Sequence, residues 1–219
     1  MTTNKKQILV PVDFSKVSLD ALDLAGKLAH KVDAEVMILH VVETYDINVE
    51  LGETVVNVMD AKIKEKLEQI RTDNQNLWGL NIQAIHRKGK IHEVIREVTN
   101  ELGSWMIVMG TTGASGLSNL GKFFLGSNSH RTVQLSEVPV LTVREGDHSA
   151  EFENIVLPLD VEKDTTQKVD FALRWARFFK SNVHLVSVTS EFEFAKGDHA
   201  EVDEKLRQVA DIFAEEGLT

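Results

Sequence analysis

Trp105-Met-Ile-Val-Met109-Gly110-Thr-Thr-Gly113-Ala-Ser-Gly116 is the stretch that decides the fold. An uncharged apolar run reads as a strand covered on both faces, because such strands lose the in-out alternation of half-exposed ones. The glycine-rich run behind it lets the backbone take positive φ and brings N–H groups close to an anion with no Cβ in the way. A loop of this kind wraps a phosphate. Downstream, Leu125-Gly126-Ser127-Asn128 precedes a helical pattern, so the two elements together predict a two-sided phosphate cradle ending on a helix N-terminus.

Working outward, the chain alternates strand and helix. Gln7 to Val12 is a short apolar run, and Val17, Ala21, Leu22, Ala25, Leu28 and Ala29 then recur at helical spacing behind a Ser15 cap. Glu35 to Val42 reads as a second buried strand, followed by a helix with Val56, Met59, Ile63, Leu67 and Ile70 on one face. Asn81 to His86 alternates as a strand, Ile91 to Leu102 fits a helix, Ser127 to Leu135 another, and Val138 to Val143 a final strand. Five strands joined by four helices predict an α/β domain, a doubly wound parallel sheet. In such sheets ligands lie beyond the carboxyl ends of the strands where strand order reverses. Asp13, Val41 and the Gly110 loop all follow strand ends, and they meet in one crevice if the first and fourth strands are neighbours.

The chain repeats itself. Ile155-Val-Leu-Pro-Leu-Asp160 matches Ile8-Leu-Val-Pro-Val-Asp13 at an offset of 147, and the same offset carries Ala25 onto Ala172, Ala29 onto Ala176, Val36 onto Val183 and Val41 onto Val188. The expected organisation is a complete domain at 1–144, a linker at 145–152 around Arg144 to Ala150, and a partial second copy at 153–219. After strand, helix and strand this copy offers one more helix, with Val202, Leu206, Val209 and Phe213 in phase. Two strands cannot form a full sheet, so the second half needs cover from the first domain, another chain or further residues, of which further residues are the expectation.

Composition narrows the functions. With 24 basic against 34 acidic residues, the net charge is −10, which argues against a phosphate-neutralising nucleic-acid surface. The apolar runs are too short for a bilayer. There is no cysteine to form a disulfide, a thiolate nucleophile or a cysteine metal site, and the first residues lack the apolar core of a secretion signal. The cytoplasm is the expected location. His92-Glu93 is followed by Arg96 where a zinc-binding helix would need histidine. His40 and His184 lie in strand patterns and read as hydrogen-bonded structural residues, so no metal site is expected. No Walker lysine follows the glycines, and no Ser-His-Asp set stands in nucleophile-elbow context.

These residues resemble the universal stress protein family, a branch of the adenine-nucleotide-binding α/β proteins, over essentially the whole chain and in its tandem form. The family signature has two glycines separated by two residues, nine further residues, and then Gly-Ser or Gly-Thr. Gly113, Gly116, Gly126 and Ser127 fit that spacing, but the family's strand-to-loop junction reads Met-Gly, which is Met109-Gly110 here. In that register Gly110 pairs with Gly113, and three extra residues fall between Ser118 and Leu125, a stretch holding Gly121 and Lys122. A longer hairpin there is cheap in entropy.

The resemblance implies a Rossmann-like sheet in the order 3-2-1-4-5 and a site for ATP, with or without Mg. Asp13, following Pro11 and Val12, would hold the ribose hydroxyls, and Val41 would meet the adenine edge through its backbone. Met109, Gly110, Thr112 and Gly113 would line the phosphates from one side, while Gly126, Ser127 and Asn128 close the other. From the residues alone, Asp13 also reads as a helix cap, and the glycine loop as a connector. Family members commonly dimerise through the fifth strand, here 138–143, so a homodimer or an intrachain pseudo-dimer is expected, with no nucleic-acid or membrane partner. Two functions follow: a stress-response or regulatory switch set by adenine nucleotide, hydrolysing it slowly at most, or a scaffold that has lost the nucleotide and acts through protein contacts. The three extra residues favour the scaffold.

Overall fold

The computed structural model describes residues 5–43, 52–112, 125–146, 148–160, 166–187 and 200–218, with only the backbone at 52–54. The chain divides into two compact units, Met1–Ala150 and Glu151–Thr219.

In the first unit β1 (Lys6–Pro11), α1 (Lys16–Val32), β2 (Ala34–Val42), α2 (Gly52–Trp78), β3 (Ile82–Lys88), α3 (Ile91–Leu102), β4 (Met106–Gly110), α4 (Ser127–Leu135) and β5 (Val140–Val143) follow in order. The five strands form one sheet, β3-β2-β1-β4-β5, and every pairing is parallel. This is the doubly wound α/β sheet, and the order expected, that the alternation and resemblance led to. Leu9, Met37, Leu39, Ile107 and Met109 pack with Val94, Ile95 and Val98 of α3 on one face. Ile8, Val10, Val36, Ile38, Met106 and Val108, equally buried, alternate with them and so face the opposite side, where α1 lies against β4.

Element bounds differ from the sequence reading where side-chain pattern and backbone pairing part company. β5 begins at Val140 rather than Val138, since Pro139 has no N–H for the ladder and only its carbonyl pairs, with Ile107 N at 3.0 Å. α2 runs well past the apolar stripe at both ends. Its last turns bring Trp78 against α1, where a Cβ on Gly26 would stand 2.6 Å from the indole Nε1.

The second unit holds β6 (Asn154–Leu159), α5 (Thr166–Phe179), β7 (Asn182–Ser187) and α6 (Ala200–Glu215). Its core is Leu157, Leu159, Val169, Ala172, Val209 and Phe213. β6 and β7 are parallel and pair Asn154 with Asn182 through Pro158 with Val186, which is the β1–β2 register of Gln7 with Glu35 through Pro11 with Leu39 displaced by 147 residues.

Candidate functional site

β1 and β4 lie side by side at the centre of the sheet. From β1 the chain crosses to β2 on one flank, and from β4 to β5 on the other. That reversal opens a crevice at the carboxyl ends of the two strands, and it is there that the structure brings the Asp13 turn and the Gly110 junction together.

The first wall is the β1–α1 turn. Val12 is buried and donates its N–H to Leu39 O at 2.8 Å, the last backbone link from β1 to β2. Asp13 is half-buried, and its Oδ1 accepts from Ser15 N at 3.0 Å and Ser15 Oγ at 2.6 Å. Ser15 is the N-cap of α1, its hydroxyl oxygen accepting from Ser18 N at 3.3 Å. The cap thus falls to Ser15, and Asp13 is an acceptor held in front of the helix. Between them Phe14 has φ of +66°, a left-handed conformation that costs a bulky residue roughly 1–3 kcal/mol and persists only where neighbours enforce it. Those neighbours are His40, whose ring stacks on Phe14 at 4.4 Å, and Lys66 of α2, whose ammonium stands 4.3 Å from the ring centroid.

Val41 supplies backbone. Leu39 O points toward β1, since it accepts from Val12 N. Two residues on, Val41 turns its N–H and C=O the same way, past the point where β1 has turned off into α1. Val42 faces the other direction and accepts from Gly89 N at 3.1 Å. The Val41 side chain packs against the α3-side core.

The second wall is the β4–α4 junction. Met109 and Gly110 are buried. A Cβ on Gly110 would stand 2.8 Å from Val17 Cγ1 and 3.2 Å from the Val17 carbonyl carbon, so this glycine is what lets α1 lie against the end of β4. Thr111 N donates to Val143 O at 2.7 Å, and Thr111 O accepts from Gly126 N at 2.7 Å. Ser129 Oγ donates to Gly110 O at 2.8 Å. These bonds fasten the start of α4 to the end of β4, so the extra residues leave Gly126, Ser127 and Asn128 beside Thr111 and Thr112. Gly113, Gly116, Gly121 and Lys122 lie outside the described residues.

Electrostatics at this wall favour an anion. α4 has no side-chain bond at its N-cap Gly126 and no acidic residue in its first turn, and Ser129 spends its hydroxyl on β4. Its leading N–H groups keep their partial positive charge, equivalent to roughly half an elementary charge at a helix N-terminus. Among the described residues no group of three His, Cys, Asp or Glu side chains could hold a metal ion.

A model of the universal stress protein family matches residues 5–144. The chain belongs to the universal stress protein family. Among its relatives, universal stress protein YxiE of Bacillus subtilis is 32% identical over 149 residues, covering 63% of this chain and 98% of its own length. A universal stress protein from Archaeoglobus fulgidus shares the fold over 100% of this chain and 76% of its own, with a TM-score of 0.72 and 20% identity. A third, a universal stress protein solved in complex with cAMP, matches with a TM-score of 0.50 and 21% identity over 65% of this chain and 98% of its own.

Sequence reasoning missed Ser129, Phe14 and Lys66, and it placed His40 as a structural residue without connecting it to the site. His40 Nδ1 does bond within the protein, donating to Val12 O at 2.7 Å, and burial pulls its pKa below the ordinary histidine value. His184, the other strand histidine, contacts Asn154 Oδ1 through Nε2 at 3.1 Å on an exposed face.

Proposed function

We propose that this universal stress protein binds ATP or a related adenine nucleotide in the β1–β4 crevice and acts as a nucleotide-dependent regulatory switch in the cytoplasm. In this reading Asp13 accepts from the ribose hydroxyls, the Val41 backbone meets the adenine edge, and the phosphates lie between Gly110 to Gly113 and the start of α4, where Ser127 and Asn128 offer N–H groups while Gly126, its own N–H held by Thr111 O, lets the turn come close, with or without Mg. The observation that carries it is the 2.7 Å bond from Gly126 N to Thr111 O, which ties the start of α4 to the end of β4. Family membership and the adenine nucleotide held by the cAMP-bound protein of this fold support the ligand class.

The switch reading goes with a binder that turns over slowly at most. The second unit fits a partial copy of the same βα unit, supported by the shared strand register. β5 ends the sheet with Val140, Leu141 and Thr142 only half-buried, which supports pairing with a second copy or a pseudo-dimer within one chain. The net charge of −10 speaks against nucleic acid as a partner, and among the described residues no helix is long and apolar enough to cross a membrane.

Calorimetry with ATP and Mg, on the parent and on Asp13→Ala, tests the reading. Binding by the parent and a marked loss in the variant are expected. No heat and no thermal shift with the parent would instead favour the scaffold.

A further inference from the structure

His40 is built into the site in a way that its place in a strand does not require. Its Nδ1 holds the carbonyl of Val12, and its ring carries the ring of Phe14. Those are the residues on either side of Asp13, so one imidazole grips the turn before and after the carboxylate. Lys66 reaches the same aromatic ring from α2. The clamp therefore draws on three elements, and it stabilises a Phe14 backbone conformation that a bulky residue seldom adopts.

We propose that His40 is a positioning residue for Asp13 and that adenine-nucleotide binding requires its ring to be neutral. This rests on the reading of the crevice as a nucleotide site. The charged and titratable groups facing His40 among the described residues are Lys66 from α2, His86 from β3 and Asp13 from the turn itself; His86 stands opposite His40 in the β2–β3 register. A proton added at Nε2 places a second cation beside Lys66 and His86. It also puts a second cation on a ring that already carries the Lys66 ammonium. Two groups favour the proton, the Val12 carbonyl, which keeps its bond in either state, and the Asp13 carboxylate; an imidazolium drawn to that carboxylate takes away the acceptor that the sugar needs. The repulsion opposes the proton with or without ATP, whereas the competition for Asp13 is felt only when the sugar needs it, so binding ATP and protonating His40 are antagonistic, and by linkage each weakens the other.

The test is calorimetry of ATP with the full chain from about pH 8 down to about pH 5, on the parent and on His40→Asn. Asparagine keeps an N–H where Nδ1 stands but has no proton to gain. ATP titrates in this range too, and the ratio of the two proteins' affinities cancels that effect. The parent's affinity relative to His40→Asn is expected to fall as the pH drops, up to about tenfold for each pH unit by which bound ATP lowers the His40 pKa. Parallel profiles for the two proteins, or a parent that tightens in acid, overturn the positioning role while leaving the nucleotide site standing. Absence of ATP binding in both proteins at every pH removes the site itself. A nitrogen-detected NMR titration of the ligand-free parent checks the clamp apart from ATP: neutral His40 should carry its proton on Nδ1, and the Phe14 ring signals should shift with the His40 titration. A proton on Nε2 alone contradicts the geometry.

Discussion

Replacing Gly110 with alanine adds one methyl group where the fold has no room for it. The new Cβ would lie 2.8 Å from Val17 Cγ1, 3.2 Å from the Val17 carbonyl carbon and 3.3 Å from Ser18 N. The first is with a side-chain methyl, which Val17 can withdraw only by leaving its rotamer at a cost. The other two are backbone atoms of α1, whose start is fixed by the Ser15 cap, so the helix must move off β4 or the strand end must bend. Overpacking of this kind costs about 1–3 kcal/mol. For a unit of this size that corresponds to roughly 2–4 °C in midpoint per kcal/mol, so a fall of at least about 2 °C is expected in a thermal melt. Val17→Ala removes the nearest atom and is itself destabilising, through a small cavity. Combined with Gly110→Ala, it should cost less than the sum of the two single changes by about 1 kcal/mol, the coupling expected of groups in contact. A midpoint shift under about 1 °C for Gly110→Ala, or strict additivity in the double variant, would refute the claim that this glycine seats α1 on β4.

Three further outcomes follow from the same contacts. Ser15→Ala removes the N-cap of α1 and both hydrogen bonds that the serine side chain makes; a loss of about 1 kcal/mol in urea unfolding is expected, and no loss would show that Asp13 caps the helix itself. Thr132 Oγ1 is buried in α4 without a hydrogen-bond partner, so Thr132→Val should be neutral or stabilising by up to about 1 kcal/mol, whereas a marked destabilisation would reveal a partner for the hydroxyl. Burial lowers the His40 pKa below its ordinary value of 6.5, so in acid the unfolded chain takes up the proton before the folded one. Stability should therefore decline as the pH falls below about 6.5, with a smaller decline in His40→Asn. Asp20, held low by the N–H of Gly146, adds its own loss only below the carboxylate range, and equal acid profiles for parent and variant would contradict the His40 assignment.

The elements legible in the sequence are those whose burial leaves a pattern. Ile8 to Val10 and Ile107 to Met109 are covered on both faces, and so read as unbroken apolar runs. α3 announces itself because Val94, Ile95 and Val98 turn one stripe toward the sheet. The ends of α2 carry no such stripe, and its reach to Trp78 shows only in packing against Gly26. Of the site, Asp13, Gly110 and Gly126 were visible because chain reversals demand such residues. The contribution of Ser129 was hidden: a serine in the first turn of a helix is equally a cap, a solvated side chain or, as here, a tether to β4. His40 was hidden for a related reason, since periodicity assigns it to a strand but says nothing of two grips on residues 28 and 26 positions earlier. The three extra residues count against the cradle only where spacing along the chain stands in for distance. The bond from Gly126 to Thr111 shows why a loop can lengthen while its ends stay in place.

Amide NMR with Mn-loaded ATP tests most directly whether the phosphates lie between the two walls. The paramagnetic ion travels with the phosphate chain and broadens the nearest N–H signals. Selective loss of Thr111, Thr112 and Gly126 to Ser129, reversed by excess Mg-ATP, is the predicted result. Broadening centred on any other part of the sheet, or none at saturating ATP, would contradict it.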